Sequence, residues 1–301
     1  MQRYLSVARR FLRRLLGTGE PLAVGLADAI SKIDGLSRSR PSLAAPAAVL
    51  REILPEVTTE LEETARISPS SKDVTAKLAR GTPLLRGESL TVDTASLRRR
   101  WLTVCRAVKR HQGGEVPTAI IKAADHGTLD PAELLAEVVA GRPAAVLERA
   151  QALGVDASLL ATALRLAALP HMARLAIDFE RLWRRAGWPH GYCPVCGSWP
   201  LLGEFRGLEQ TQFLRCALCA TSWEFPRLCC PFCGTSDHRQ LAYIHAGGEQ
   251  DRYRAATCDA CHGYLKTVST LAALSLPLLL VEDLATLHLD FAAADRGFFV
   301  P

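Results

Sequence analysis

The chain has 301 residues, 49% of them hydrophobic, and its 36 Lys and Arg against 31 Asp and Glu leave a net charge of +5. That length supports two domains with cores of their own and removes the need for the disulfide framework on which small secreted chains depend. The longest apolar run, Leu271 to Val281, is interrupted by Ser275 and Pro277 and closed by Glu282 and Asp283. It is shorter than the roughly 20 residues that cross a bilayer, so it reads as a buried element and predicts no stable membrane insertion.

At the N-terminus, Arg3, Arg9, Arg10, Arg13 and Arg14 alternate with Tyr4, Leu5, Phe11, Leu12, Leu15 and Leu16. The stretch from Arg9 to Arg13 looks like a twin-arginine export motif. Gly17 to Pro21 breaks any apolar region behind it, and a basic amphipathic helix with a solvated face is the better reading. The chain then runs rich in Ala, Leu, Arg and Glu up to residue 187, with helical periodicity and loops expected at Ser37 to Ser42 and Leu85 to Glu88. Asp130, Pro131 and Glu133 mark one helix start, and Gly141 stops that helix. Another is expected from Asp156 to Pro170, and a last one from His171 toward Gly187. The prediction for residues 1–187 is an all-α bundle of about seven to nine helices.

At Trp188 the composition changes. From there on the chain holds 14 of its 19 aromatic residues and nine of its ten cysteines. Short strands are expected around Phe213 to Arg215, Trp223 to Phe225, Leu241 to Ile244 and Tyr253 to Ala256, the last two joined through Gly247-Gly248. Residues 188–301 thus form a second, cysteine-rich domain, and the fold class is α+β: a helical bundle followed by two tandem rubredoxin-like or zinc-ribbon-like β modules, about 188–227 and 228–268, and a C-terminal helical segment.

Eight of the cysteines make four Cys-x-x-Cys pairs: Cys193/Cys196, Cys216/Cys219, Cys230/Cys233 and Cys258/Cys261. Each pair holds two thiolates on one side of a tight turn, and two turns close a tetrahedron around one ion. The first and third turns, Cys-Pro-Val-Cys-Gly-Ser and Cys-Pro-Phe-Cys-Gly-Thr, repeat 37 residues apart, which favours pairing between neighbours: Cys193, Cys196, Cys216 and Cys219 at one site, and Cys230, Cys233, Cys258 and Cys261 at the other. A cross-braced or nested pairing is the alternative. The glycine after the second cysteine allows a left-handed residue and backbone N–H groups aimed at sulfur. Four sulfurs suit zinc or a mononuclear iron equally. Cys105 and Cys229 read as packed thiols, and His238, His245 and His262 as ordinary polar residues.

No phosphate-binding loop, zinc-protease helix or nucleophile elbow is present, so no catalytic or organic-cofactor residue is assigned. Tandem ribbons often grip nucleic acid. From Trp188 to Pro301, however, 8 Lys and Arg face 11 Asp and Glu, a net of −3 that disfavours phosphate binding. The rivals to a binding or assembly protein are therefore a zinc-ribbon nucleic-acid factor and an iron-dependent electron-transfer protein.

The run from Trp188 to Ser198, the Arg215 to Cys219 step, Cys230 to Gly234, Cys258 to Lys266 and Glu282 to Leu287 together resemble the formate dehydrogenase accessory protein family, FdhE. The resemblance covers about the last 150 residues and needs all four pairs in order. It implies a cytoplasmic, non-catalytic factor for maturation of formate dehydrogenase, in contact with that enzyme's catalytic subunit. It also implies rubredoxin-like binding of two metal ions by the eight paired cysteines, with iron favoured and zinc as the alternative. A homo-oligomer is left open.

Overall fold

The computed structural model describes residues 24–59, 66–68, 74–184 and 187–300; the arginine-rich N-terminal stretch lies outside them. Nine helices precede the cysteine-rich region among the described residues: α1 (Leu26–Ser39), α2 (Ala44–Val57), α3 (Val74–Ala79), α4 (Thr94–Gln112), α5 (Val116–Asp125), α6 (Pro131–Ala140), α7 (Ala144–Leu153), α8 (Ala157–Asp178) and α9 (Glu180–Arg184). Two three-residue strands, β1 (Arg66–Ser68) and β2 (Ser89–Thr91), pair antiparallel between them, an element the sequence did not suggest.

Local signals set several of these boundaries. The Asp130 carboxylate accepts the Ala132 N–H at 2.8 Å, Pro131 opens α6, and Gly141 closes it at φ 95°. Asp156 caps α8 in the same way through the Leu159 N–H at 2.8 Å. Each such cap contributes about 1 kcal/mol by satisfying a donor that the helix cannot.

The expected break at Pro170 does not occur: α8 runs through it to Asp178. A proline inside a helix costs about 3 kcal/mol, and here the burial of Leu166, Leu169, Met172 and Leu175 against α4 and its neighbours outweighs it. By length and composition α8 alone among the described helices is apolar enough to cross a membrane, and it is the mostly buried central helix of the bundle. The loop expected at Ser37 is likewise displaced, since α1 continues to Ser39 and a short 3-10 turn follows at Pro41–Leu43.

Beyond residue 187 come six strands: β3 (Pro200–Arg206), β4 (Thr211–Cys216), β5 (Ser222–Glu224), β6 (Leu241–Ile244), β7 (Tyr253–Cys258) and β8 (Tyr264–Thr270). They form one sheet in the order β5-β4-β3-β8-β7-β6. Each three-stranded half is antiparallel, and the halves join at a parallel seam in which Gly203 faces Thr267 and Phe205 faces Ser269. Gly203 permits the close approach: a Cβ there would lie 3.1 Å from Thr267 Cγ2.

Two helices complete the chain, α10 (Leu276–Ala285) and α11 (Leu287–Ala294). The apolar run from Leu271 is only partly buried. Leu271 is 84% exposed, and the helix begins at Leu276 with Pro277 in its first turn, where its missing N–H costs nothing. Glu282 of α10 is buried and accepts hydrogen bonds from Tyr253 Oη at 2.8 Å, Arg252 at 3.0 Å and Lys32, so this helix ties β7 to α1.

Candidate metal centres

Strand direction decides where the cysteines fall. The first turn precedes β3, the second follows β4, the third precedes β6 and the fourth joins β7 to β8. Because β3 and β8 run parallel, all four turns gather at one end of the sheet. Trp199 beside the first turn meets Phe232 of the third at 5.4 Å, edge to face.

The four turns share one backbone design. In each, the N–H of the first cysteine donates to the carbonyl five residues on, of Ser198, Thr221, Thr235 or Gly263, at 2.9–3.0 Å; in three of them the residue after the second cysteine, Gly197, Ala220 or Gly234, also donates to the carbonyl of Cys193, Cys216 or Cys230 at 2.9–3.2 Å. The residue after each second cysteine is left-handed, with φ of 81° at Gly197, 55° at Ala220, 76° at Gly234 and 55° at His262. Two turns therefore hold a non-glycine residue where glycine is least strained. This geometry aims N–H groups at sulfur: Val195 donates to Cys193 Sγ at 3.4 Å, and Leu218 and Cys219 donate to Cys216 Sγ at 3.3 and 3.4 Å.

The structure brings the cysteines together in two sets of four, Cys193, Cys196, Cys216 and Cys219, and Cys230, Cys233, Cys258 and Cys261, with the sulfurs of each set within 4.8 Å of one another. Sulfur pairs stand at 3.3–3.6 Å in the first set and 3.7 Å in the second. A tetrahedron with metal–sulfur bonds of about 2.3 Å has edges of about 3.8 Å, so both sets fit one tetrahedral ion. All ten cysteines are unbridged.

The two sets differ in surroundings. All four cysteines of the first are buried, whereas in the second Cys233 is exposed and Cys261 half-exposed. In the first, burial opposes a charge on Cys196, yet hydrogen bonds from Cys193, Cys216 and Cys219 overcome it and hold its thiol well below the free value. Burial pushes Cys216 and Cys219 well up. A bound cation, whose charge favours thiolates, would release the thiol protons of the set.

The other candidates stand apart from both sets. Cys105 is buried in α4, and desolvation pushes its thiol up to about 12. Cys229 flanks the second set and its Sγ lies 3.5 Å from the Gly234 carbonyl. His262 supplies a left-handed backbone and its ring lies 6.1 Å from that of Phe298. His238 opens a 3-10 turn, and His245 is exposed.

Sequence reading missed a buried charge cluster near the first set. Lys266 of β8 donates to Asp283 and Asp290, each at 2.7 Å, and Tyr264 donates to Asp290 at 2.8 Å. Burial works against the Lys266 charge, but the two carboxylates prevail and raise its pKa. Nothing local in the sequence signals this cluster, because its members come from separate elements.

Two family models match in succession: "FdhE, central domain" over residues 192–227 and "FdhE, C-terminal domain" over residues 228–300. Each contains one complete set of four cysteines. The chain is 40% identical over 114 residues to a protein FdhE homolog of Pseudomonas aeruginosa, covering 35% of this chain and 36% of that one. It is 36% identical over 115 residues to a protein FdhE homolog of Aquifex aeolicus, covering 37% and 40%. With protein FdhE of Escherichia coli it shares 36% identity over 112 residues, covering 36% and 34%. These matches span little more than a third of the relatives' own length. The fold agrees more widely: the crystal structure of the FdhE protein from Pseudomonas aeruginosa superposes with a TM-score of 0.55 over 93% of this chain and 92% of that one, at 22% identity. Residues 192–300 are thus similar, one after the other, to the central and C-terminal domains of FdhE.

Proposed function

We propose that this chain is a cytoplasmic accessory factor for the maturation of formate dehydrogenase and that it docks on the catalytic subunit through its metal-stabilised end. The observation that carries this reading is the pair of consecutive FdhE domains, each closing one four-cysteine set. Cys193, Cys196, Cys216 and Cys219 hold one ion, and Cys230, Cys233, Cys258 and Cys261 the other. Four thiolates fill a tetrahedral ion, so no coordination position is left for a substrate, and the role is binding rather than catalysis. Iron is the favoured ion and zinc the alternative; iron would add one-electron chemistry.

The region's net charge of −3 supports a protein client over nucleic acid. In this scheme the factor holds the immature catalytic subunit and protects or reduces its active site. The test is co-purification with that subunit, together with formate dehydrogenase activity in cells lacking the factor, complemented by the wild type or by Cys230→Ser/Cys233→Ser. Expected are a copurifying complex and complementation by the wild type alone. Full complementation by a folded double variant lacking its second ion would remove that metal from the mechanism, and failure of the wild type would overturn the reading.

A further inference from the structure

A cleft of about 800 Å³ opens between the helical layer and the first cysteine turn. Its lining includes Tyr192, Gly197 and Trp199 of and beside the turn, together with Arg86, Arg165 and Lys266. Its volume falls within the range of small-molecule sites, which combine apolar walls with a few convergent polar groups.

The cations are unequally satisfied. Lys266 is fully engaged by Asp283 and Asp290. Arg165 has only a loose partner, its Nη2 3.7 Å from Asp283 Oδ2, and its buried Nη1 has no hydrogen bond. Arg86 forms no side-chain hydrogen bond or ion pair among the described residues. Its guanidinium is nonetheless closely held, because two glycines make space for it. A Cβ at Gly141 would lie 1.3 Å from Nη1, and one at Gly197 would lie 2.9 Å from Nη2. Three cations thus face two carboxylates around the cleft, and the surplus sits on guanidinium groups with unused donors. A planar guanidinium fork is the side chain best matched to two oxygens of a carboxylate or phosphate.

We propose that this cleft binds a small organic oxyanion, its carboxylate or phosphate held by Arg86 and Arg165 and its body against Trp199 and Tyr192. The inference does not rest on the proposed function, since it uses only the cleft and its charges.

Phenyl phosphate, benzoate and, as the neutral control, phenol are titrated by calorimetry into the metal-loaded full chain at constant ionic strength. Saturable binding of phenyl phosphate or benzoate is expected, with phenol much weaker, and the tighter of the two anions identifies the group as phosphate or carboxylate. Arg86→Met and Arg165→Met should each weaken that binding about tenfold or more, with Arg86→Lys in between. Unchanged metal content shows that the variants retain the fold. If Arg165→Met fails to fold because Asp283 loses a partner, Arg86→Met carries the test alone. Binding of phenol as tight as the anions, anion binding weaker than about 10 mM, or affinity unchanged in Arg86→Met overturns the proposal.

Discussion

The two four-cysteine sets are built from turns of the same design, yet only the first is a member of the main core. The first set is continuous with the main core: Cys193, Cys196, Cys216 and Cys219 pack in one cluster with Trp101, Leu135 and Leu160 of the helices. The segment after α3 is stitched to its turn, with Leu84 and Leu85 donating to the carbonyls of Pro194 and Val195 at 2.8 and 2.9 Å. The second set is a member of neither core cluster: its neighbours Cys229 and Phe232 pack against the edge of the main core, and Leu228 beside them is 64% exposed. A repeated motif therefore does not mean a repeated role in stability. What differs is how much of the surrounding core is packed against each set, and therefore how much would be exposed if it opened.

The sharpest way to break this comparison is to remove one thiol from each set. Cys216→Ser opens a coordination position inside the main core, and a loss on the order of 5 kcal/mol, comparable to the whole stability of many domains, is expected. Cys233→Ser should release the second ion while leaving the first bound and the helices folded. Metal analysis with thermal unfolding distinguishes the two, and equal losses would show that burial does not matter. In the unaltered protein a chelator should strip the second ion first, in two kinetic phases.

Next in size is Glu204→Gln. This fully buried carboxylate of β3 accepts from Arg215 and Arg206 at 2.6 Å each and from the Leu274 N–H at 3.2 Å. Removing its charge leaves two guanidinium groups uncompensated in the first half of the sheet, at about 3–5 kcal/mol in urea unfolding.

A smaller effect separates the main core from the second cluster by pH. His171 of α8 is fully buried, with no hydrogen bond to either ring nitrogen, and burial, helped by Arg100, lowers its pKa to about 4. The unfolded chain binds this proton near pH 6.5 and the folded one only near 4, so stability falls as the pH drops through that window. The loss is at most about 3 kcal/mol. His171→Leu should flatten that part of the stability profile. A slope unchanged by the substitution would assign acid sensitivity to the metal sites alone.

The smallest effects concern the left-handed non-glycine residues. Ala220→Gly and His262→Gly relieve backbone strain in one turn of each set, and each should raise stability by up to about 1 kcal/mol. A larger gain at Ala220 than at His262 would again mark the first set as the one coupled to global unfolding.

Legibility in the sequence followed the range of the interactions. The cysteine turns and the caps at Asp130 and Asp156 were readable because their determinants lie within a few residues of each other. Pro170 misled because its penalty is local, whereas the burial that overrides it comes from other helices. The parallel seam between β3 and β8 joins strands more than fifty positions apart, and no turn signal announces it. The tandem modules read from the repeat are present, and the seam joins them as the two halves of one sheet. The cleft carrying Arg86 and Arg165 was invisible for the same reason, since loops, helices and strands from across the chain line it.

With every cysteine turn at one end of the sheet, the opposite end carries no cysteine among the described residues. The β3–β4 connection there, residues 207–210, ends in Leu208, which is 94% exposed. An epitope or fluorophore inserted at that tip would report on the intact protein in a cell while standing a strand's length away from either four-cysteine set.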